Sequence, residues 1–113
     1  MAEGRKLKTG KKCDGKKNKL ELFPYDALWE IGKVYTYGAG KYDERNWEKG
    51  IKYSRVYGAL MRHCWAWWNH EDKDSETGLS HLVHAAWNAL TLVAYELRGM
   101  KKWDDRPQGG SNV

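Results

Sequence analysis

Residues 54–97 read SRVYGALMRHCWAWWNHEDKDSETGLSHLVHAAWNALTLVAYEL, and the spacing inside this stretch decides the fold. Val56, Ala59, Leu60, Cys64 and Trp67 form one apolar line; Leu82, Val83, Ala86, Leu90 and Val93 form another. Steps of three and four return side chains to one face of a helix, so the stretch predicts two amphipathic helices. Ser54 is placed to cap the first, which is expected to run to about Asn69. The second is expected from about Leu79 to Leu97, with Gly99 beyond its end. The acidic connection His70–Gly78 is short enough to make the two helices antiparallel neighbours.

Upstream, Pro24 suits the first turn of another helix, where a missing N–H costs nothing. Ala27, Leu28, Ile31, Val34 and Tyr35 continue it, and Gly38-Ala39-Gly40 is expected to end it. Residues 38–53, GAGKYDERNWEKGIKY, then read as a long loop rich in charge and aromatics. Leu20-Glu21-Leu22-Phe23 alternates, which predicts a short extended piece docked on the body. No segment has the patterning of a sheet, and no internal repeat is present. The expected class is all-α, a small bundle of three to four helices. A basic extended arm (residues 1–19) precedes the helical domain (20–99), and a frayed tail (100–113) follows it.

The 113 residues suffice for one hydrophobic core. A 41% hydrophobic content with seven Trp and seven Tyr excludes disorder throughout. No apolar run approaches the ~20 residues of a membrane span. The first residues lead into lysines, so no signal peptide is expected and the chain is placed in the cytoplasm. Cys13 and Cys64 have no metal or redox spacing and are read as free thiols. The net charge of +5 is local. Residues 1–19 carry eight basic groups against Glu3 and Asp14, whereas the remaining residues carry 12 basic and 13 acidic groups. A basic arm can bind polyanions or fold over a phosphate-bearing ligand.

Two constellations carry chemistry. His81, His84, Asn88 and Thr91 fall on one stripe of the third helix, and His63, Trp67 and Glu71 on a line of the second. Glu71, Asp72, Asp74 and Glu76 crowd the connection. Carboxylates this close repel unless a cation or protons offset them, and bundles build metal sites from such convergence. Oxygen ligands favour Mg²⁺ or Mn²⁺, and two histidines tilt the choice toward Mn²⁺ or softer metals. A solvated acidic turn or a hydrogen-bonded helical His is ordinary by itself; the cluster is the signal. In the loop, Gly38-Ala39-Gly40-Lys41-Tyr42 and Arg45-Asn46-Trp47 offer backbone, cations and flat rings to a nucleotide. The Walker arrangement is absent. Trp65, Trp67, Trp68 and Trp87 read as core or subunit-interface residues.

Several of these residues lie in an ordered series. Asp14-Gly15-Lys16, Leu20-Glu21-Leu22-Phe23-Pro24, Tyr37-Gly38-Ala39-Gly40-Lys41-Tyr42 and Arg45-Asn46-Trp47 through Gly50 make its first half. Tyr53-Ser54-Arg55, Arg62-His63, Glu71-Asp72, Gly78, His81-Leu82, His84-Ala85-Ala86 and Asn88-Ala89-Leu90 make its second. Over about residues 14–97 the series resembles the phage dATP/dGTP diphosphohydrolases. These are MazG-like proteins, some from phages that replace adenine with 2-aminoadenine. The resemblance implies an all-α nucleotide pyrophosphatase that cleaves between the α- and β-phosphates. Mg²⁺ or Mn²⁺ would be held by acidic residues on two helices, in a dimer or tetramer. It also implies conversion of dGTP, or dATP, to the monophosphate plus pyrophosphate, in some members as a supply of 2-aminoadenine precursor.

The pattern departs from MazG-like enzymes in one respect. The second helix has no Glu-x-x-Glu, and His81-Leu82-Val83-His84 stands where the next acidic motif would fall. Either the ligands are rebuilt around Glu71, Asp74 and the histidines, or the metal helices align differently. The resulting expectation places metal on Glu71, Asp74, His81 and His84. Catalytic roles fall to Glu71 and to His63, an imidazole able to carry a proton near neutral pH. Lys16, Lys41, Arg45, Asn46, Arg62 and Asn88 are expected to contact substrate, with Tyr42 or Trp47 on the base. Metal-activated water would attack the α-phosphorus in line. The alternative is a small nucleic-acid-binding protein using arm and loop; the near-neutral body offers it no basic face. An HD-type phosphohydrolase would need adjacent His-Asp ligands, which His70-Glu71-Asp72 does not supply.

Overall fold

The computed structural model describes residues 9–13 and 15–108. Three helices make the frame: α1 (Tyr25–Lys41), α2 (Tyr53–Trp68) and α3 (His81–Leu97). Single 3₁₀ turns occupy Leu20–Leu22, Asn46–Lys49 and Lys101–Trp103, and no strand occurs among the described residues. The all-α class is therefore observed. The basic groups Arg5, Lys6 and Lys8 of the arm, together with Asp14 and residues 109–113, lie outside the described residues.

α2 and α3 form the hairpin that their spacing predicts. Its open end is closed by aromatic packing. Tyr53 and Tyr95 stack at 5.9 Å with their planes 9° apart. Val56 joins them in the buried core, and Trp47, Ile51, Leu92, Met100 and Trp103 pack around it. The Tyr95 hydroxyl donates to the Trp47 carbonyl at 2.6 Å, which ties the loop after α1 to the hairpin. The Tyr53 hydroxyl donates to the Met100 carbonyl at 3.3 Å, which ties down the chain after α3. α1 lies along α3, with Tyr35 packed on Trp87 at 5.6 Å.

Several local expectations are corrected. α1 does not stop at Gly38-Ala39-Gly40; it runs through them to Lys41. A helical glycine costs only about 1 kcal/mol, which the packing of α1 against α3 can offset. Leu20–Leu22 is a 3₁₀ turn rather than an extended piece, with Phe23 N–H bonded back to Leu20. Ser54 is not the cap of α2. That helix begins at Tyr53 after Lys52, and Asp105 supplies the acceptors at its start, taking the Ser54 N–H at 2.8 Å and the Ser54 hydroxyl. The expected frayed tail is thus docked over its first part, because Met100 and Trp103 are apolar and find the core.

The largest correction concerns α3. Its buried residues are His81, Ala85, Asn88, Thr91 and Tyr95, while Leu82, Leu90 and Val93 are 43–46% exposed. His81 of the polar stripe meets α2, and of the apolar stripe expected to be core Leu82, Leu90 and Val93 face outward while Val83 and Ala86 are half-buried. On α2, Trp65 and Trp68 are exposed as well, so neither belongs to the core of this chain.

Candidate functional site

The connection between α2 and α3 is an ordered structure. His70 takes a left-handed conformation at φ 66° and turns the chain out of α2. Asp74 N–H donates to the Leu79 carbonyl at 2.8 Å, and His81 N–H to the Asp72 carbonyl at 2.9 Å. The Ser80 hydroxyl accepts from Leu82 N–H and so caps α3, which places His81 in its first turn. Asp74 folds over its own loop. Its Oδ2 accepts from Glu76 N–H at 3.1 Å, Thr77 N–H at 2.9 Å and the Thr77 hydroxyl at 3.1 Å. Burial pushes the Asp74 carboxyl up, but these donors and nearby His84 outweigh it and hold the group below its ordinary range.

Three imidazoles meet above this loop. His63 comes from α2, and His81 and His84 from successive turns of α3. His63 Nδ1 and His81 Nδ1 are 2.8 Å apart, and His81 Nε2 lies 2.6 Å from Glu71 Oε2. His84 stacks on His63 at 4.7 Å with planes 10° apart, and its Nε2 meets the Thr77 hydroxyl at 2.7 Å. His81 is only 5% exposed. Burial lowers the pKa of His63, helped by the charges of His84 and His81 and opposed by Asp74. Burial likewise lowers His84, with Asp74 opposing it and His81 adding to it. Burial thus disfavours the charged forms of His63 and His84, and the neutral imidazole is the form that binds metal. His63, Asp74 and His81 each offer one ligand atom, all within 4.8 Å of one another.

The last turn of α1 borders the cluster. Lys41 Nζ pairs with Glu76 Oε1 at 3.0 Å, beside Tyr37. That pair lowers the Glu76 carboxyl and raises the Lys41 ammonium. A shallow cavity lined by Thr36, Tyr37, Gly40 and Lys41 opens at this corner.

His63, Glu71, Asp74, His81 and His84 thus come together, with Lys41 at their edge. Arg62 is exposed on α2 beside His63, and Tyr42 is 60% exposed just past α1. Lys16 is exposed in the arm. The other expected substrate residues are not brought to this place. Arg45, Asn46 and Trp47 sit at the Tyr95 end of the hairpin, about 16 Å from His84 along α3 at about 1.5 Å per residue. Trp47 is no free platform for a base: its ring packs by Tyr35 and Tyr95 under the Arg98 guanidinium. Arg45 pairs with Glu48. Asn88 is buried and donates to the His84 carbonyl at 2.9 Å, which makes it part of the helix packing. The Gly38–Gly40 backbone is helical and cradles nothing. Thr77 is the site residue missed from sequence. Its signal was Asp74-Ser75-Glu76-Thr77, an acid followed by a hydroxyl three residues on, the mark of a side-chain-closed turn.

Comparison with known proteins bears on this site. The family model described as "dATP/dGTP diphosphohydrolase, N-terminal" matches residues 7–106. A dATP/dGTP diphosphohydrolase of Salmonella phage PMBT28 is 36% identical over 98 residues, covering 87% of this chain and 33% of its own length. The chain therefore spans about a third of that curated relative. No solved structure matches the chain.

Proposed function

The chain belongs to the family described as dATP/dGTP diphosphohydrolase, N-terminal, and on that premise we propose that it hydrolyses a purine deoxynucleoside triphosphate, dGTP or dATP, to the monophosphate and pyrophosphate. The observation that carries this reading is the convergence of His63, Glu71, Asp74, His81 and His84 beside Lys41. It pairs metal-binding groups with a cation suited to phosphate. In phages that use 2-aminoadenine, the dGMP product would serve as precursor.

A divalent cation bound in this cluster would offset phosphate charge and supply an activated water. The chain's own residues do the rest. The imidazoles of His63 and His81 and the carboxylate of Asp74 form a mixed nitrogen and oxygen donor set, which suits Mn²⁺ and tolerates Mg²⁺ less well. Lys41 can leave Glu76 for a phosphate oxygen, since the pair it gives up is exposed and worth little. Arg62, next to His63 in α2, lies near enough for its charge to be felt there and offers a second cation. Tyr42 supplies a ring for the base. We also propose that two or more copies associate through the exposed apolar faces of α2 and α3.

The test is turnover. Purified chain is incubated with each common ribo- and deoxynucleoside triphosphate, with Mn²⁺, Mg²⁺ or chelator, and products are separated by chromatography. Purine deoxynucleoside monophosphate and pyrophosphate, formed only with metal, are the expected outcome. No turnover of any nucleotide with either metal would remove the hydrolase reading from this chain.

A further inference from the structure

We infer that the nitrogen edge of the metal site is made by the two Nδ1 atoms of His63 and His81, completed by Asp74, and that Glu71 is a positioning residue rather than a ligand. The inference rests on the metal dependence proposed above and assigns roles within that site. Its basis is the direction of a short hydrogen-bonded chain.

A carboxylate only accepts, so the 2.6 Å contact of Glu71 Oε2 with His81 Nε2 requires a hydrogen on Nε2. The form of His81 able to ligate a metal has one ring hydrogen, so with Nε2 occupied its lone pair lies on Nδ1. That lone pair faces His63 Nδ1 at 2.8 Å, so His63 holds its hydrogen on Nδ1 and donates it. Two imidazole nitrogens this close need something between them. In the metal-free chain it is this hydrogen. Two cis nitrogens bound about 2.0–2.1 Å from one metal lie ~3 Å apart, close to the observed separation. Exchange for a cation is balanced: the hydrogen leaves Nδ1 of His63, one returns to its Nε2, and the ring stays neutral. His81 keeps its Nε2 hydrogen on Glu71 throughout. Carboxylate, histidine and metal in that order is a recurrent way to fix a ligating ring.

Asp74 fits as the third ligand for a related reason. Among the described residues every hydrogen bond to it falls on Oδ2, which leaves Oδ1 uncommitted. His84 does not fit. Its Nε2 is engaged by Thr77, whose hydroxyl also reaches Asp74, so His84 braces the ligands by stacking on His63 and by holding the loop. This assignment differs from the expectation drawn from sequence, which placed Glu71 and His84 among the ligands and gave His63 a proton to carry.

The experiment reads the ring nitrogens directly. Long-range ¹H–¹⁵N NMR of the full chain, first in chelator and then with Zn²⁺ and no nucleotide, reports which nitrogen of each histidine changes. Expected are a hydrogen on His81 Nε2 before metal, and a large shift at Nδ1 of both His63 and His81 after it. Zn²⁺ affinity of Glu71→Gln, which keeps an acceptor for Nε2, is expected within about tenfold of the native chain, whereas His81→Ala loses at least a hundredfold. A Zn²⁺-induced shift at His81 Nε2 would overturn the assignment. So would the absence of a shift at either Nδ1, or a Glu71→Gln loss equal to that of His81→Ala. Because nucleotide is absent, a chain that shows the Nδ1 shifts but hydrolyses nothing fails the hydrolase reading alone.

Discussion

His63 and His84 lie ring on ring near the Asp74 carboxylate, whose Oδ2 already accepts three hydrogen bonds, and burial keeps both below the ordinary histidine pKa of 6.5. The sign of the pH effect follows. Below 6.5 the unfolded chain takes up protons that the folded chain refuses, so unfolding gains on folding as pH falls toward the depressed values. In chelator, the melting temperature is expected to fall from pH 7 to pH 5 and to fall less steeply in His63→Gln, as followed by circular dichroism. A slope unchanged by that substitution would place the titration elsewhere. Tyr95 is the second residue to test. It is fully buried, and its hydroxyl donates to the Trp47 carbonyl. Tyr95→Phe should cost about 0.5–1.5 kcal/mol in urea denaturation by removing that bond, the carbonyl keeping the Gly50 N–H at 3.1 Å. All five cluster residues were legible from helical spacing and local acidity. What joins to what was not, because a shift of one residue in the start of α3 would turn His81 away from Glu71. Trp47 shows the same limit: a loop tryptophan reads as exposed until the hairpin that covers it is known.

Within an element, the period of a helix is easier to read than its orientation. α3 has two stripes, and sequence logic assigns the apolar one, Leu82, Leu90 and Val93, to the interior. The chain instead buries the stripe with His81, Asn88 and Thr91: His81 meets His63 and Glu71 there, Asn88 bonds the His84 carbonyl of its own helix, and the Thr91 hydroxyl is buried with no partner among the described residues. Helix ends show a similar gap. Gly38 and Gly40 looked like a stop, whereas the glycine that does demand its place is Gly50, at φ 99° with the Trp103 indole where a Cβ would stand. Gly50→Ala is therefore expected to cost about 1–3 kcal/mol from backbone strain, plus the displacement of Trp103. Pairing it with Trp103→Ala should give a total smaller than the sum of the two single losses, since the second change removes the clash. Strict additivity in urea titrations would mean that the two groups do not meet.

For the molecule as a whole, the outward apolar stripe poses the main physical question. Leu82, Leu90, Val93 and Leu97 line one side of α3, and Trp65 and Trp68 stand 67% and 76% exposed on α2. Isolated exposed leucines are ordinary, but four apolar side chains along about four turns of one helix, with two open indoles on α2, are surface that water solvates poorly. A second copy is the occupant that fits, because the residues after the arm are nearly neutral overall and no charge opposes self-association. A two-fold arrangement would set α3 against its own symmetry mate, each stripe covering the other. It would also explain the inversion: α3 carries polar groups toward α2 for chemistry and apolar groups outward for assembly. Sedimentation at micromolar concentration should then show a dimer or larger species. Leu90→Glu and Val93→Glu together should shift it toward monomer while leaving helical circular dichroism in place, since neither side chain enters the core. Turnover by the resulting monomer would separate assembly from chemistry. A native chain that sediments as a monomer throughout would leave the stripe for a segment of a longer protein, of which this chain matches a third in its phage relative.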